Sequence, residues 1–273
     1  MARYKEGSIF ANRYRLVEFL GNGKDTEVWH AYDIFASVNV AVKLNFDRDT
    51  NGEVIKKFAM VYDLIHSNIL HPLYINSFDR ITYEVMPYCK QGNVSQYILN
   101  NKIVKEDFCW QLLHDISSAL AYLHTHHPPI LHLDIKPDNV LIHDTGRFML
   151  TDFGISDYWH AERMAVVNGT MSYMAPERFQ EDSSTVKASD IWSLGAMMFE
   201  VMNGGILPYG ETGGSAQSLE DDYFPQFIGE YSPELTQIVS KCMEYYTWDR
   251  PTADEIALST LNKLKNITSK SKV

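Results

Sequence analysis

The chain has 273 residues, 45% of them hydrophobic and 22% charged, a balance that supports sizeable cores and excludes intrinsic disorder. With 24 Lys and Arg against 35 Asp and Glu, its formal charge of −11 argues against a nucleic acid partner, because phosphate backbones demand a basic surface. No apolar run reaches the roughly 20 residues of a membrane span, and the amino end lacks the apolar core of a secretory signal, so the expectation is a cytoplasmic or otherwise intracellular chain without a membrane span. Cys89, Cys109 and Cys242 are widely spaced and fit neither a zinc site nor a disulfide framework.

In chain order, strands come first. YRLVEFL (14–20), EVWHAYD (27–33), NVAVKLNF (39–46), YINSFD (74–79) and ITYEVMPY (81–88) are rich in β-branched and aromatic residues, which suit a pleated, half-buried surface. Asn22-Gly23 between the first two is a strong hairpin signal. One helix interrupts the strands in GEVIKKFAMVYDLIH (52–66), where Val54, Phe58, Val61, Tyr62 and Ile65 recur at helical spacing. After the segment Pro87 to Gly92 the pattern turns helical, in VSQYILNN (94–101), DFCWQLLHDISSALAYLHTHH (107–127), SDIWSLGAMMFEVMNG (189–204) and SPELTQIVSKCMEYYTW (232–248), which predicts a second, mostly helical part. Leu261 to Val273 carries four lysines and no acid and reads as a frayed, solvated tail.

Chemistry concentrates in four segments. In LGNGKDTEV (20–28), Gly21 and Gly23 would let backbone amides approach a phosphate, although Asn22-Gly23 suffices as an ordinary hairpin turn. In NVAVKLNF, alternation puts Val40, Val42 and Leu44 on one face and Ala41 and Lys43 on the other. HLDIKPDNVLI (132–142) sets Asp134, Lys136 and Asn139 in a turn-rich segment, and Pro137 keeps a helix from absorbing them. In TDFGIS (151–156), Gly154 allows a sharp change of direction just after Asp152. Two acids, an amide and a lysine on adjacent loops suit magnesium binding and phosphoryl transfer.

With these segments in this order, the chain resembles a eukaryotic-type protein kinase domain over about Tyr14 to Leu264. MAPE (174–177), SDIWSLG and WDRP (248–251) extend the match, with Arg250 in the position of the arginine that pairs with Glu177. The resemblance implies an α+β, two-lobed fold: a small β-rich amino-terminal lobe at 10–88, a larger helical lobe at 89–265 and a basic tail at 266–273. It implies ATP and Mg²⁺ as cofactors, and a protein substrate phosphorylated on serine or threonine, since DIKPDN and Gly169-Thr170 resemble the serine/threonine branch. Asp134 would orient the substrate hydroxyl, Lys136 would stabilise charge on the transferring phosphate, and Asn139 and Asp152 would hold the metal. Lys43 would meet the nucleotide's phosphates, and Leu20, Val28, Ala41 and Leu141 would sandwich adenine, with Gly21 and Gly23 in the phosphate loop. Met86 would guard the back pocket, the backbone of Pro87 and Cys89 would bond adenine, and Asn93 would stand at the ribose.

Three positions depart from the family pattern. Thr26 replaces the third loop glycine, with Asp25 before it. Leu133 replaces the catalytic-loop arginine that grips a phosphorylated activation loop, and no serine or threonine stands between Asp157 and Asn168, so both halves of that switch are missing together. Lys57 stands nine positions before His66, where the family carries the glutamate that pairs with the strand lysine. Glu53, one turn earlier, is the expected substitute partner of Lys43. These departures leave a second reading open, a pseudokinase that binds nucleotide with little turnover.

Overall fold

The structure, a computed structural model, describes residues 2–23, 25–46, 52–158, 169–180, 186–217 and 224–270, and leaves out the side chains of Glu53, Val54, Lys57 and 266–270. The chain divides into two compact units, Met1–Lys90 and Gln91–Val273.

The first unit is an antiparallel sheet with one helix. Its elements are β1 (Ile9–Phe10), β2 (Tyr14–Asn22), β3 (Thr26–Asp33), β4 (Val38–Asn45), α1 (Glu53–Tyr62), β5 (Tyr74–Phe78) and β6 (Ile81–Pro87), and the strand order is β1-β2-β3-β4-β6-β5. The β2–β3 hairpin closes beyond the Asn-Gly pair and not at it: Asn22 is still in the ladder, paired with Glu27, and the Gly23 amide donates to the Thr26 carbonyl at 3.1 Å. Leu16, Trp29, Ala31, Val40, Val42, Leu44, Tyr83 and Val85 form the buried face, so the alternation read in β4 is realised. The unit reaches outside the expected 10–88. The Arg3 guanidinium lies 4.0 Å from the Phe46 ring and Tyr4 meets Phe10 edge-on at 5.5 Å, so residues before β1 belong to the packing. Helix α1 is shorter than its apolar spacing predicts. The chain leaves the helix at Asp63 and makes a tight turn from Val61 to Leu64, which buries Leu64 and leaves Ile65 81% exposed.

The second unit is mostly helical. It comprises α2 (Val94–Asn100), α3 (Glu106–Thr125), β7 (Ile130–Leu131), β8 (Val140–Ile142), β9 (Phe148–Leu150), β10 (Asp157–Tyr158), α4 (Lys187–Met202), α5 (Pro233–Cys242) and α6 (Ala253–Lys270). Strand β7 pairs with β10 and β8 with β9, both antiparallel, and these short ribbons hold the motif-bearing loops. Helix α4 is buried along nearly its whole length. Helix α5 stops at Cys242 instead of running on to Trp248, because Arg250 donates to the carbonyls of Glu244 and Tyr245, each at 2.7 Å, and pins the chain in a turn. Trp248 is left 75% exposed.

The basic tail expected at 266–273 begins inside a helix. Helix α6 carries the chain to Lys270 and packs along α3. It starts in a reciprocal cap, in which the Thr252 amide donates to Glu255 Oε2 at 2.8 Å and the Glu255 amide to Thr252 Oγ1 at 3.3 Å. Buried Ala253, Ile256 and Thr260 then form the inward stripe, while Lys263 stretches back over the Trp110 ring at 5.3 Å. Among the described residues, no helix is long and apolar enough to cross a membrane.

Helix α4 packs tightly against the end of α5 at Gly195, where an added Cβ would lie 2.7 Å from Met243 Cγ and 2.8 Å from Cys242 Cβ. Gly195→Ala is therefore expected to destabilise the domain by about 1–3 kcal/mol through overpacking, outweighing the helix-propensity gain of about 1 kcal/mol. A fall in the urea unfolding midpoint with an unchanged slope checks this.

Candidate active site

In the amino-terminal unit, strand register gathers several of the expected nucleotide residues. Gly21 pairs with Val28, Val28 with Lys43, and Ala41 with Met86, so Val28, Lys43, Ala41 and Met86 share the sheet face opposite the core. Pro87 pairs with Val40, Cys89 is buried, and Leu20 lies at the exposed end of β2. The register also sets Glu84 directly across from Lys43 on the same face, a second carboxylate that motif matching does not single out. The expected pairing of Lys43 with Glu53, and the placement of Lys57, lie outside the described side chains.

In the carboxy-terminal unit, a buried acid organises the segment expected to carry the catalysis. Asp190, in the first turn of α4, accepts the His132 amide on Oδ2 at 2.9 Å and the Leu133 amide on Oδ1 at 2.8 Å, and its Oδ2 also meets the His124 ring at 2.9 Å. Burial alone would raise its pKa, but the bonds and charge from the histidine side and the backbone amide hold it below the ordinary carboxylate range. Leu133 is left-handed at φ +68°. Gly169 makes room beside it, since a Cβ there would stand 2.9 Å from the Leu133 carbonyl oxygen, and its own φ of +120° favours glycine.

Asp134, Lys136 and Asn139 come together as expected, and Thr170 joins them. Thr170 donates through its hydroxyl, at 2.8 Å, and its amide, at 3.2 Å, to Asp134 Oδ1. Lys136 Nζ donates to Asp134 Oδ2 at 2.8 Å and to the Thr170 hydroxyl oxygen at 2.7 Å. Asn139 donates to the Asp134 carbonyl at 2.8 Å and to Oδ2 at 2.9 Å. Burial pushes the Asp134 pKa up, yet the Lys136 bond and charge, with Thr170 and Asn139, bring it below its ordinary value, so the carboxylate is ionised at neutral pH.

Pro137 starts a single 3₁₀ turn, Pro137–Asn139, that feeds β8, and Leu141 on that strand bridges to Asn93. The Asn93 side-chain oxygen is occupied in capping α2, accepting the Gln96 amide at 2.8 Å. Asp152 is exposed and left-handed at φ +60°. The next residue, Phe153, packs edge-on to His132 at 4.9 Å. His132 is buried and bonded to the Thr151 carbonyl at 3.1 Å, and burial lowers its pKa.

Beyond the segment around Asp134, Arg250 clasps Glu177 with two bonds of 2.9 and 2.8 Å, the pairing expected from WDRP and MAPE. The chain belongs to the protein kinase family. The protein kinase domain model matches residues 14–260. The chain is 32% identical to the probable serine/threonine-protein kinase PknB of Lactococcus lactis, a match covering 85% of this chain and 38% of that protein. It is 33% identical to the serine/threonine-protein kinase PrkC of Bacillus subtilis, covering 76% and 33%, and 27% identical to human serine/threonine-protein kinase tousled-like 1, covering 94% and 37%. The kinase domain thus spans less than half the length of these relatives.

The family uses ATP and a divalent metal generally, and the donor chemistry here fits a hard cation. Both amide hydrogens of Asn139 are committed to Asp134, which turns its carbonyl oxygen away as an acceptor. Asp152 offers a carboxylate, and Mg²⁺ prefers oxygen donors of this kind, completed by phosphate and water. Among the described residues there is no group of three His, Cys, Asp or Glu side chains suited to a metal.

Thr170, Asp190 and a buried pair, Tyr173 with Glu200, are the parts that motif reading underused. The Tyr173 hydroxyl donates to Glu200 Oε2 at 2.5 Å. Burial, against the opposing Tyr173 bond and with support from the charge of Asp138, raises the Glu200 pKa from 4.5 to about 7. An acid with a raised folded pKa contributes stability that is complete below its unfolded pKa of 4.5 and is lost as pH rises through about 7. Glu200→Gln removes that loss. Its stability relative to wild type should therefore rise between pH 4.5 and 8, by up to about 3 kcal/mol, in paired urea titrations.

Proposed function

We propose that this kinase domain transfers the γ-phosphate of ATP to serine or threonine hydroxyls of a protein, with Mg²⁺ as the metal. The observation that carries the reading is the Thr170 hydroxyl, which donates to Asp134 while it accepts from Lys136. An aliphatic hydroxyl thus already sits between an ionised base and a cation, the relation a substrate serine or threonine needs. In this reading Asp134 aligns the incoming hydroxyl and takes its proton, and Lys136 draws charge from the transferring group. Lys43, with Gly21 and Gly23, meets the phosphates. Leu20, Val28, Ala41 and Leu141 hold the adenine, the Pro87 carbonyl and the Cys89 amide bond it, Met86 limits the space behind it, and Asn93 stands near the ribose. Mg²⁺, held by Asn139 and Asp152, would neutralise phosphate charge as it develops. The serine/threonine assignment is supported by the names of the relatives and by the Gly169-Thr170 pair.

Incubation with labelled ATP, Mg²⁺ and a generic acceptor protein tests the reading. Asp134→Asn is expected to lower kcat by about 10²- to 10⁴-fold while ATP binding survives. Equal, near-zero turnover of wild type and variant on every acceptor would instead identify a pseudokinase. Asp152→Asn is expected to weaken Mg·ATP binding as well as catalysis, and an unchanged affinity by calorimetry would remove Asp152 from the metal site.

Glu53 is proposed as the carboxylate that orients Lys43. Two ammonium groups at 4 Å repel by about 4 kcal/mol at an effective dielectric of about 20, so Lys57 is expected to stay away from Lys43. Glu53→Ala should reduce turnover strongly and Lys57→Ala hardly at all. Glu84→Gln serves as a comparator because Glu84 faces Lys43 across the strands. If Glu84→Gln costs turnover and Glu53→Ala does not, the orienting role passes to the sheet.

A further inference from the structure

The residue ahead of the catalytic aspartate is held from both sides. Leu133 keeps a left-handed φ of +68°, which is costly for a side chain with a Cβ and persists only where the surroundings enforce it. Asp190 grips its amide at 2.8 Å, and Arg178 donates from Nη1 to its carbonyl at 3.1 Å. Arg178 follows Glu177 in a 3₁₀ turn, Pro176–Phe179, and is only 2% exposed. Burial lowers the pKa of its guanidinium, while the charges of Asp190, Glu177 and Asp134 act to raise it. A cation therefore stands among Asp190, Glu177 and Asp134 although Leu133 occupies the place of the family's arginine.

We propose that Arg178 is a positioning residue for the catalytic loop: by fixing the Leu133 carbonyl from the end of the activation segment, it sets the peptide that leads into Asp134 and does so without a phosphate. This rests on the reading of Asp134 as the catalytic base. The coupling runs from MAPE-Arg to the loop along the main chain. Arg178 sits one residue beyond the Glu177–Arg250 clasp, so its backbone is tied to the turn that carries Arg250. A guanidinium suits the role because its planar fork is pre-organised and stays charged when buried.

Two variants test this, Arg178→Met and Arg178→Lys, each treated with phosphatase and compared with treated wild type. Hydrogen exchange at the Leu133 and Asp134 amides is read beside steady-state phosphorylation of a generic acceptor. Arg178→Met is expected to speed exchange there by about tenfold or more and to lower kcat by about 10- to 100-fold, with KM for ATP within about twofold. Arg178→Lys should recover part of both, since it keeps the charge without the fork. If the Met variant does not fold, as circular dichroism would show, the Lys variant decides alone through the same two readouts. Exchange at these amides and kcat both at wild-type values in a folded variant would overturn the proposal, as would a lower Tm with neither readout moved. Wild type that transfers no phosphate would instead defeat the phosphoryl-transfer reading, and the exchange measurement would still decide whether Arg178 holds Leu133.

Discussion

Taking a carboxylate out of water costs several kcal/mol unless strong donors replace the lost solvent. Asp190 is taken out entirely, at 0% exposure, so its bonds to the His132 amide, the Leu133 amide and the His124 ring are obligatory. Each of these donors lies in a different part of the unit from the helix that carries the acid. The need to satisfy one buried charge thereby ties α4 and α3 to the segment between β7 and β8, and Asp134 inherits its place from that tie.

The same logic extends outward. Arg250 is fixed by Glu177 and by three carbonyls, of Ala188, Glu244 and Tyr245, and Ser189 adds a bond of 2.7 Å to Glu177. The segment from Gly169 to Phe179 is consequently anchored to the helical body at its far end and to Asp134 through Thr170 at its near end. Breaking either anchor exposes a charge that was buried for the sake of its partner, so the parts of this network do not act independently.

Much of this was legible in the order of polar residues, and the reason is physical. Asp134, Lys136 and Asn139 were visible because Pro137 cannot sit inside an α-helix, only at the start of the short 3₁₀ turn found there, so polar groups in that segment call for another purpose. The strand face of Lys43 was visible because alternation needs only a period of two. Asp190 was not, because an acid in the first turn of a helix reads as a favourable dipole contact, and its true partners are backbone amides, which no side-chain pattern displays. Arg178 was missed for a related reason: an arginine after an acid reads as solvated until the carbonyl it serves is known. Helix α6 was obscured by Lys263 and Lys265, whose charges suggested a tail, although the Thr252 and Glu255 cap and the stripe through Ile256 and Thr260 carried the signal.

The Asp134 carboxylate accepts from four donors at once, two on each oxygen. Carboxylate oxygens offer about two lone-pair sites apiece, so in its proposed role as base Asp134 is already saturated by its own chain. An incoming hydroxyl therefore makes no new bond to a bare anion; it exchanges with one that exists, and the neutral Thr170 hydroxyl is the donor whose departure sacrifices least charge. Such a one-for-one swap is nearly isoenergetic, so contact with the base itself gives a hydroxyl little affinity. A water molecule faces the same exchange on the same terms. Under the proposed transfer to a protein, discrimination between a protein hydroxyl and water must then arise away from Asp134, from whatever holds the rest of the substrate chain in place.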